Sequence, residues 1–344
     1  MKRKMYLLLA LLMIAALVLT ACSGGKKSEE TYTLVLTNGD SDESLPGQWC
    51  HEWAKMVNEK SNGRIIVEVN NGGSIANHGQ AMGMVSDGSV DIALLIHSPY
   101  PDVFPMTECF HLPMLDLGTG EAASRAFTDI YENTDLLDNE YGGFKVILLR
   151  TTMPAPLITR TQKINSAADL QGLIVRSTVN PLNKTFDKFG IKGENVPIGE
   201  LYSVLQNGSF DGAITDWHGV HSYKLAEVAD FYADEAFQYI TYSIVMNLDK
   251  YNSLPDDLKK VIDECSGSGA IGIMASAWDD LASQVKDDVR KAGGEVYKLP
   301  DDLRNAMKAE AAKAIEEWIA DQEARGRPAQ RMYDTILETV KKYQ

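Results

Sequence analysis

Val90-Asp91-Ile92-Ala93-Leu94-Leu95-Ile96 is an almost unbroken apolar run. Such runs suit a strand covered on both faces in a parallel sheet. The chain on either side alternates between strand and helix patterns. Residues 31–37 alternate and are β-rich, so they read as a first strand. Residues 46–59 read as a helix with Trp49, Trp53, Met56 and Val57 on one face, ended by Asn62-Gly63. Residues 64–69 follow as a strand, Asn70 to Gly73 as a turn and 77–86 as a helix. The pattern returns with strands at 145–149, 173–176 and 211–215. A helical turn at 167–172 and helices at 181–189 and 199–207 lie around them. From Pro255 onward the chain reads as nearly all helix, with amphipathic segments at 278–290, 303–323 and 332–343. Strands and helices alternating at this spacing predict an α/β fold.

The first residues carry a different signal. Lys2, Arg3 and Lys4 precede an apolar stretch that ends in Leu19-Thr20-Ala21-Cys22. A basic start, an apolar run and small residues at a cleavage point make an export signal. The run is shorter than the ~20 residues that a membrane-spanning helix needs. Cleavage directly before Cys22 is the pattern of bacterial lipoproteins. The mature chain then begins at an acylated Cys22, outside the cytoplasmic membrane, with residues 22–30 as a tether. An ordinary signal peptide with an incidental Cys22 is the alternative.

Removing residues 1–21 leaves enough chain for roughly two domains. A content of 44% hydrophobic and 24% charged residues fits a globular protein. The formal net charge is −15, and it becomes more negative once Lys2, Arg3 and Lys4 are lost. Such a surface repels phosphate backbones, so nucleic acid is not an expected partner. Cys50, Cys109 and Cys265 lack the close spacing of a zinc or redox motif. An oxidising compartment allows one disulfide, for which Cys50–Cys109 is the candidate; three buried thiols are the other reading.

Most motif-like features have plain explanations. Gly267-x-Gly269-x-x-Gly272 follows a helical stretch and lacks the strand that a dinucleotide fingerprint needs. His218, His221 and Asp216 could face one metal, but no third strong ligand accompanies the histidines, and solvated side chains at a helix start fit better. No nucleophile elbow or phosphate loop occurs. No catalytic residue, metal or cofactor is therefore expected. Arg176 differs: it ends the strand Leu173-Ile174-Val175, where open α/β sheets bind ligands, and a guanidinium there can hold a carboxylate with paired hydrogen bonds. Asp211-Gly212-Ala213-Ile214-Thr215-Asp216-Trp217 brings Thr215, Asp216 and Trp217 to the same edge, with Trp217 available for stacking. Asn180, just past Arg176, and His97, just past the apolar run, complete the candidate set.

At these residues the chain resembles the DctP-type solute-binding proteins of tripartite ATP-independent periplasmic (TRAP) transporters. The strongest segment is Ile164-Asn165-Ser166-Ala167-Ala168-Asp169-Leu170-Gln171-Gly172-Leu173-Ile174-Val175-Arg176. Val196-Pro197-Ile198-Gly199-Glu200-Leu201-Tyr202 through Gly208, with Asp211-Gly212, extends it. Asn58 to Arg64, Gly88-Ser89-Val90-Asp91 and Phe110-His111-Leu112-Pro113 add to it. The resemblance implies two lobes, joined by crossing strands and a long helix, that close on a solute and pass it to an ion-driven permease. The expected division is 31–152 with 245–280, against 153–244 with 281–344. It also implies that Arg176 binds an organic acid's carboxylate and that Asn38 lies at a ligand-touching position.

Thr215 departs from the asparagine of many members. Pro156 stands where sialic-acid binders have a second arginine, and Ile96 where they have a glutamate. With Ile198 and Trp217 these residues suggest an apolar pocket for a small monocarboxylate of aromatic, branched or keto-acid body. A monomer anchored by lipid is the expected form. An exported enzyme, a sensor uncoupled from transport, or a binder of amino acids or sugars are the other readings.

Overall fold

The computed structural model describes residues 30–273 and 275–344. The export signal, Cys22 and all but the last tether residue lie outside them. Two sheets form the frame. The first takes β1 (Tyr32–Thr37), β2 (Ile65–Asn70), β3 (Ile92–Ile96), β4 (Phe144–Thr151) and β10 (Thr241–Asn247), in the order β2-β1-β3-β10-β4. The second takes β5 (Ala155–Thr159), β6 (Ile174–Arg176), β7 (Lys192–Glu194), β8 (Gly212–Ile214), β9 (Phe231–Gln238) and β11 (Glu295–Tyr297), in the order β11-β9-β5-β8-β6-β7.

The quoted run does form a strand covered on both faces. Ile92 and Leu94 pack with Trp49 and Trp53, while Ala93 and Leu95 pack with Phe110 and Phe127. The sheet is mixed, however: β3 runs parallel to β1 but antiparallel to β10. Corresponding aspartates tie the parallel strands in both lobes. Asp91 Oδ2 accepts from Val35 N at 2.8 Å, and Asp211 Oδ2 accepts from Ile174 N at 2.8 Å. Each aspartate's own backbone N–H returns a bond to the same partner residue.

Two crossings join the lobes. The chain leaves the first sheet after Thr151 and enters the second at Ala155, then returns between Gln238 and Thr241. Thr152 N donates to Ile240 O at 2.7 Å, and Ile240 N donates to Thr152 Oγ1 at 3.0 Å, so the crossings brace one another. Thus β10 begins in the first sheet before the boundary expected at 245. The helix Asp301–Ala324 spans both lobes. Its Leu303, Met307 and Ala311 belong to the second lobe's core; its Ile315, Trp318 and Ile319 belong to the first. The helix Ala329–Thr339 buries Met332 and Ile336 in the first lobe, which corrects the expectation that the whole C-terminus belongs to the second.

Cys50 and Cys109 are free. Cys50 packs on the sheet face of Ile92 and Leu94, Cys109 on the face of Ala93 and Leu95. The first sheet lies between them, so the suggested disulfide is not formed. The glycine-rich segment is a break between helical stretches: Gly267 has φ +56 and donates its N–H to Ile147 O.

Candidate ligand-binding site

The strand ends of both lobes bring charged side chains to the interlobe cleft. Arg176, at the end of β6, donates Nε to Val196 O at 3.1 Å and Nη1 to Ile214 O at 3.3 Å. Burial lowers its pKa, against the opposing influence of Tyr242, Tyr223 and Asp216. Arg150, in β4, is only 8% exposed. Its Nε and Nη2 reach only Thr151 O, at 3.4 and 3.3 Å. Its Cζ lies 3.5 Å from the ring centre of Trp278 and 5.1 Å from that of Tyr242. Burial lowers its pKa too, opposed by Tyr242, Asp216, Asp40 and Asp279. Among the described residues neither arginine forms an ion pair, although each guanidinium carries five donors. A small pocket beside Arg150 is walled by Trp49, Leu148, Ile271 and Trp278.

Asp216 follows β8 and caps the helix Trp217–Ser222, its Oδ1 accepting from Gly219 N at 2.8 Å. Thr215 is buried beside it and packs so closely that a Cβ on Gly219 would sit 2.3 Å from its Oγ1. The first lobe supplies Asp40, held by the loop after β1. Asn38 Oδ1 accepts from Asp40 N at 3.0 Å, and Asn38 Nδ2 donates to Asn71 Oδ1 at 3.1 Å. Asn38 therefore shapes the loop that presents Asp40. The Asp40 side chain is 12% exposed and its Oδ1 lies 3.4 Å from His78 Nε2. Burial pushes its pKa up, but His78, His218 and Arg150 outweigh that, and the net shift is downward. The pKa of Tyr223 is pushed up to about 12, by burial first and by Asp40 and Asp216, while Arg176 acts against the rise.

The structure separates the remaining candidates from this group. Trp217 is 1% exposed and stacked on Tyr232 at 5.6 Å, inside the second lobe's core, so it offers no face to a solute. His97 is also 1% exposed. Its Nδ1 meets Thr241 Oγ1 at 2.8 Å and its Nε2 meets Ser243 Oγ at 2.9 Å, so both ring nitrogens are satisfied within the first lobe. Asn180 is exposed and lines a different groove, with Asp102, Glu317 and Arg325. His218, read as solvated, instead stands edge-on to Trp278 at 5.4 Å. Burial depresses its pKa, against Asp216 and Asp40. Among the described residues no group of three or more His, Cys, Asp or Glu could hold a metal.

Sequence reasoning missed Arg150, Asp40, His78, Tyr223, Tyr242 and Trp278. The strand-end rule that selected Arg176 also reaches Arg150, next to the run at 145–149, and Asp40 beyond 31–37. Tyr242 and Trp278 carry no such signal, since their place depends on the return crossing and on packing of the helix Ala275–Lys291.

Residues 38–322 match the family model described as bacterial extracellular solute-binding protein, family 7. A marine-metagenome TRAP solute-binding protein specific for aromatic acids, solved with 3-hydroxybenzoate, is similar at 25% identity. That match covers 92% of this chain and 99% of that one, with a TM-score of 0.84. One from Rhodoferax ferrireducens, solved with copurified benzoate, gives 26% identity over 91% and 98% of the two chains, with a TM-score of 0.83. The ectoine-binding periplasmic protein TeaA of Halomonas elongata is 22% identical, over 70% of this chain and 71% of its own. The chain belongs to family 7 of the bacterial extracellular solute-binding proteins, as a solute-binding protein of the TRAP type.

Proposed function

We propose that this chain binds a small organic monocarboxylate with an aromatic, branched or keto-acid body and delivers it to an ion-gradient-driven TRAP permease. The observation that carries the reading is the presence of two arginines, Arg150 buried and Arg176 partly buried, with no ion-pair partner among the described residues. An unpaired buried charge is costly, and a solute carboxylate removes that cost. Each charge-assisted hydrogen bond contributes roughly 1.5–3 kcal/mol. Trp278 and Tyr242 offer aromatic surface beside Arg150, and two structural relatives were solved with aromatic acids. Thr215 and Asp216 line the second-lobe side, with Asn38 acting through Asp40. Acylation at Cys22 would hold the protein, as a monomer, on the outer side of a membrane.

A thermal-shift screen tests this. The purified protein is unfolded and refolded to strip carried-over solute, then mixed with monocarboxylates, dicarboxylates, sugar acids, amino acids and neutral sugars. Saturating ligand at a thousandfold excess stabilises by about 4 kcal/mol. A shift with monocarboxylates supports the reading. A shift only with amino acids or neutral sugars contradicts it.

A further inference from the structure

The first lobe holds two polar atoms that a simple carboxylate leaves unused. Asp40 Oδ2 and His78 Nδ1 are buried and have no hydrogen-bond partner. They are neighbours, since the other oxygen of Asp40 lies 3.4 Å from the other ring nitrogen of His78. Leaving such groups desolvated and unpaired is unfavourable, so native proteins rarely do it without a function. The loop has no slack to turn away. Asp40 N is tied to Asn38 Oδ1, and Gly72 N donates to Asp40 O at 2.7 Å. A Cβ on Gly39 would sit 2.7 Å from the His78 ring, so the glycine permits the ring to lie against the loop.

Asp40 lies within electrostatic reach of Arg150 and of His218. Tyr223, from the second lobe, lies within the electrostatic influence of both Asp40 and Arg176, and Tyr242 within that of Asp40 and Arg150. Each lobe thus brings one arginine and one carboxylate: Arg150 and Asp40 from the first, Arg176 and Asp216 from the second.

We propose that the solute carries an O–H or N–H donor on the part of its body remote from its carboxylate, and that Asp40 Oδ2 receives it. This rests on the monocarboxylate reading above and narrows it to donor-bearing acids. Asp40 is then the residue that selects among carboxylates of similar size. His78 positions it by occupying its second oxygen.

The test uses refolded, ligand-free protein and isothermal titration with benzoate, 3-hydroxybenzoate, 3-(aminomethyl)benzoate and 3-methoxybenzoate, plus the aliphatic pair butanoate and 4-hydroxybutanoate. The methoxy compound keeps the size and oxygen of the hydroxy compound but has no donor. The inference expects donor-bearing acids to bind at least tenfold more tightly than their donor-free partners. Asp40→Ala should bring each pair within about twofold of one another. The hydroxyl and aminomethyl arms tell which donor is used. Equal binding of donor-bearing and donor-free acids to the native protein overturns the inference and leaves the monocarboxylate reading intact. A preference that survives Asp40→Ala also overturns it. Failure of every carboxylate to bind overturns the monocarboxylate reading itself.

Discussion

The guanidinium of Arg150 sits over the ring of Trp278, with Cζ 3.5 Å from the ring centre. This pairing spans the architecture: Arg150 comes from β4 of the first sheet, and Trp278 from the helix Ala275–Lys291, which packs against helices of both lobes. Trp278 also meets His218 of the second lobe edge-on at 5.4 Å. The indole therefore fixes the guanidinium plane while touching the other side of the cleft. A planar cation stacked in this way turns its N–H groups outward at the edge; Nε and one Nη2 donor reach Thr151 O, and the Nη1 donors remain for a carboxylate.

Arg150→Lys keeps the charge but loses the flat fork and the stacking. A buried cation–π contact contributes about 0.5–2 kcal/mol. The substitution should weaken carboxylate binding about tenfold or more, equivalent to about 1.4 kcal/mol. Trp278→Leu should produce a similar loss. Titration with the tightest acid from the screen checks both. Unchanged affinity in both variants would remove Arg150 from the site.

The aspartate ties in the two lobes give a stability prediction. Asp91 Oδ2 holds Val35 N while its Oδ1 lies 3.1 Å from Lys250 Nζ. Asp211 Oδ2 holds Ile174 N, two residues before Arg176. Hydrogen bonds to a charged group contribute about 1.5–3 kcal/mol. Asp91→Ala and Asp211→Ala should each lower the melting temperature by several degrees. Only Asp211→Ala should also weaken ligand binding, because it loosens the strand that carries Arg176. Equal effects of the two on affinity would contradict that division.

How much of this was legible in the chain follows from local chemistry. Residues 31–37 were readable as a strand by their β-rich alternation, and 90–96 by an almost unbroken apolar run. Asn77 was readable as a helix start, and it caps Gly79 and Gln80. By contrast, β5 contains Pro156, a residue that argues against a central strand. It is tolerated because the β5–β9 register shifts between Ala155 and Leu157, which marks a bulge at the proline. Asp234 and Glu235 obscure β9 in the same way, although Asp234 pairs with Lys286 at 2.9 Å. Arg176 was legible because a strand end gives it away. Trp217 misled because its position at that same edge says nothing about which way its ring packs.

The buried histidines set the acid sensitivity. His111 has its pKa pushed down by burial to about 3, and His97 is also lowered, by burial and by His111. Unfolded histidines take up a proton near 6.5. Between these values the unfolded chain binds more protons than the native one, so stability falls as pH drops from about 6.5 toward 3. Glu140, raised by burial to about 7, acts in the opposite sense from pH 7 down to its unfolded value. The difference between native protein and His111→Gln therefore isolates the histidine. Melting temperatures across this range should show a shallower acid limb for the variant; parallel limbs would contradict the burial of a neutral His111.

The thiols give a direct chemical check. Cys50, Cys109 and Cys265 are free and buried, and burial raises the pKa of each. A chain starting at Ser23 should show almost no reaction with a thiol reagent when folded, and three thiols in denaturant without reductant. One thiol in denaturant would mean that a disulfide forms after all.

The most direct measurement of the central claim is the dissociation constant of the tightest carboxylate from the screen, taken by titration on the native protein and on Arg176→Ala. Circular dichroism would establish that both are folded. Losing two charge-assisted bonds from Arg176, roughly 1.5–3 kcal/mol each, predicts a loss of at least two orders of magnitude. Binding retained within a few-fold would show that Arg176 does not hold the carboxylate, and the account of the cleft would fail.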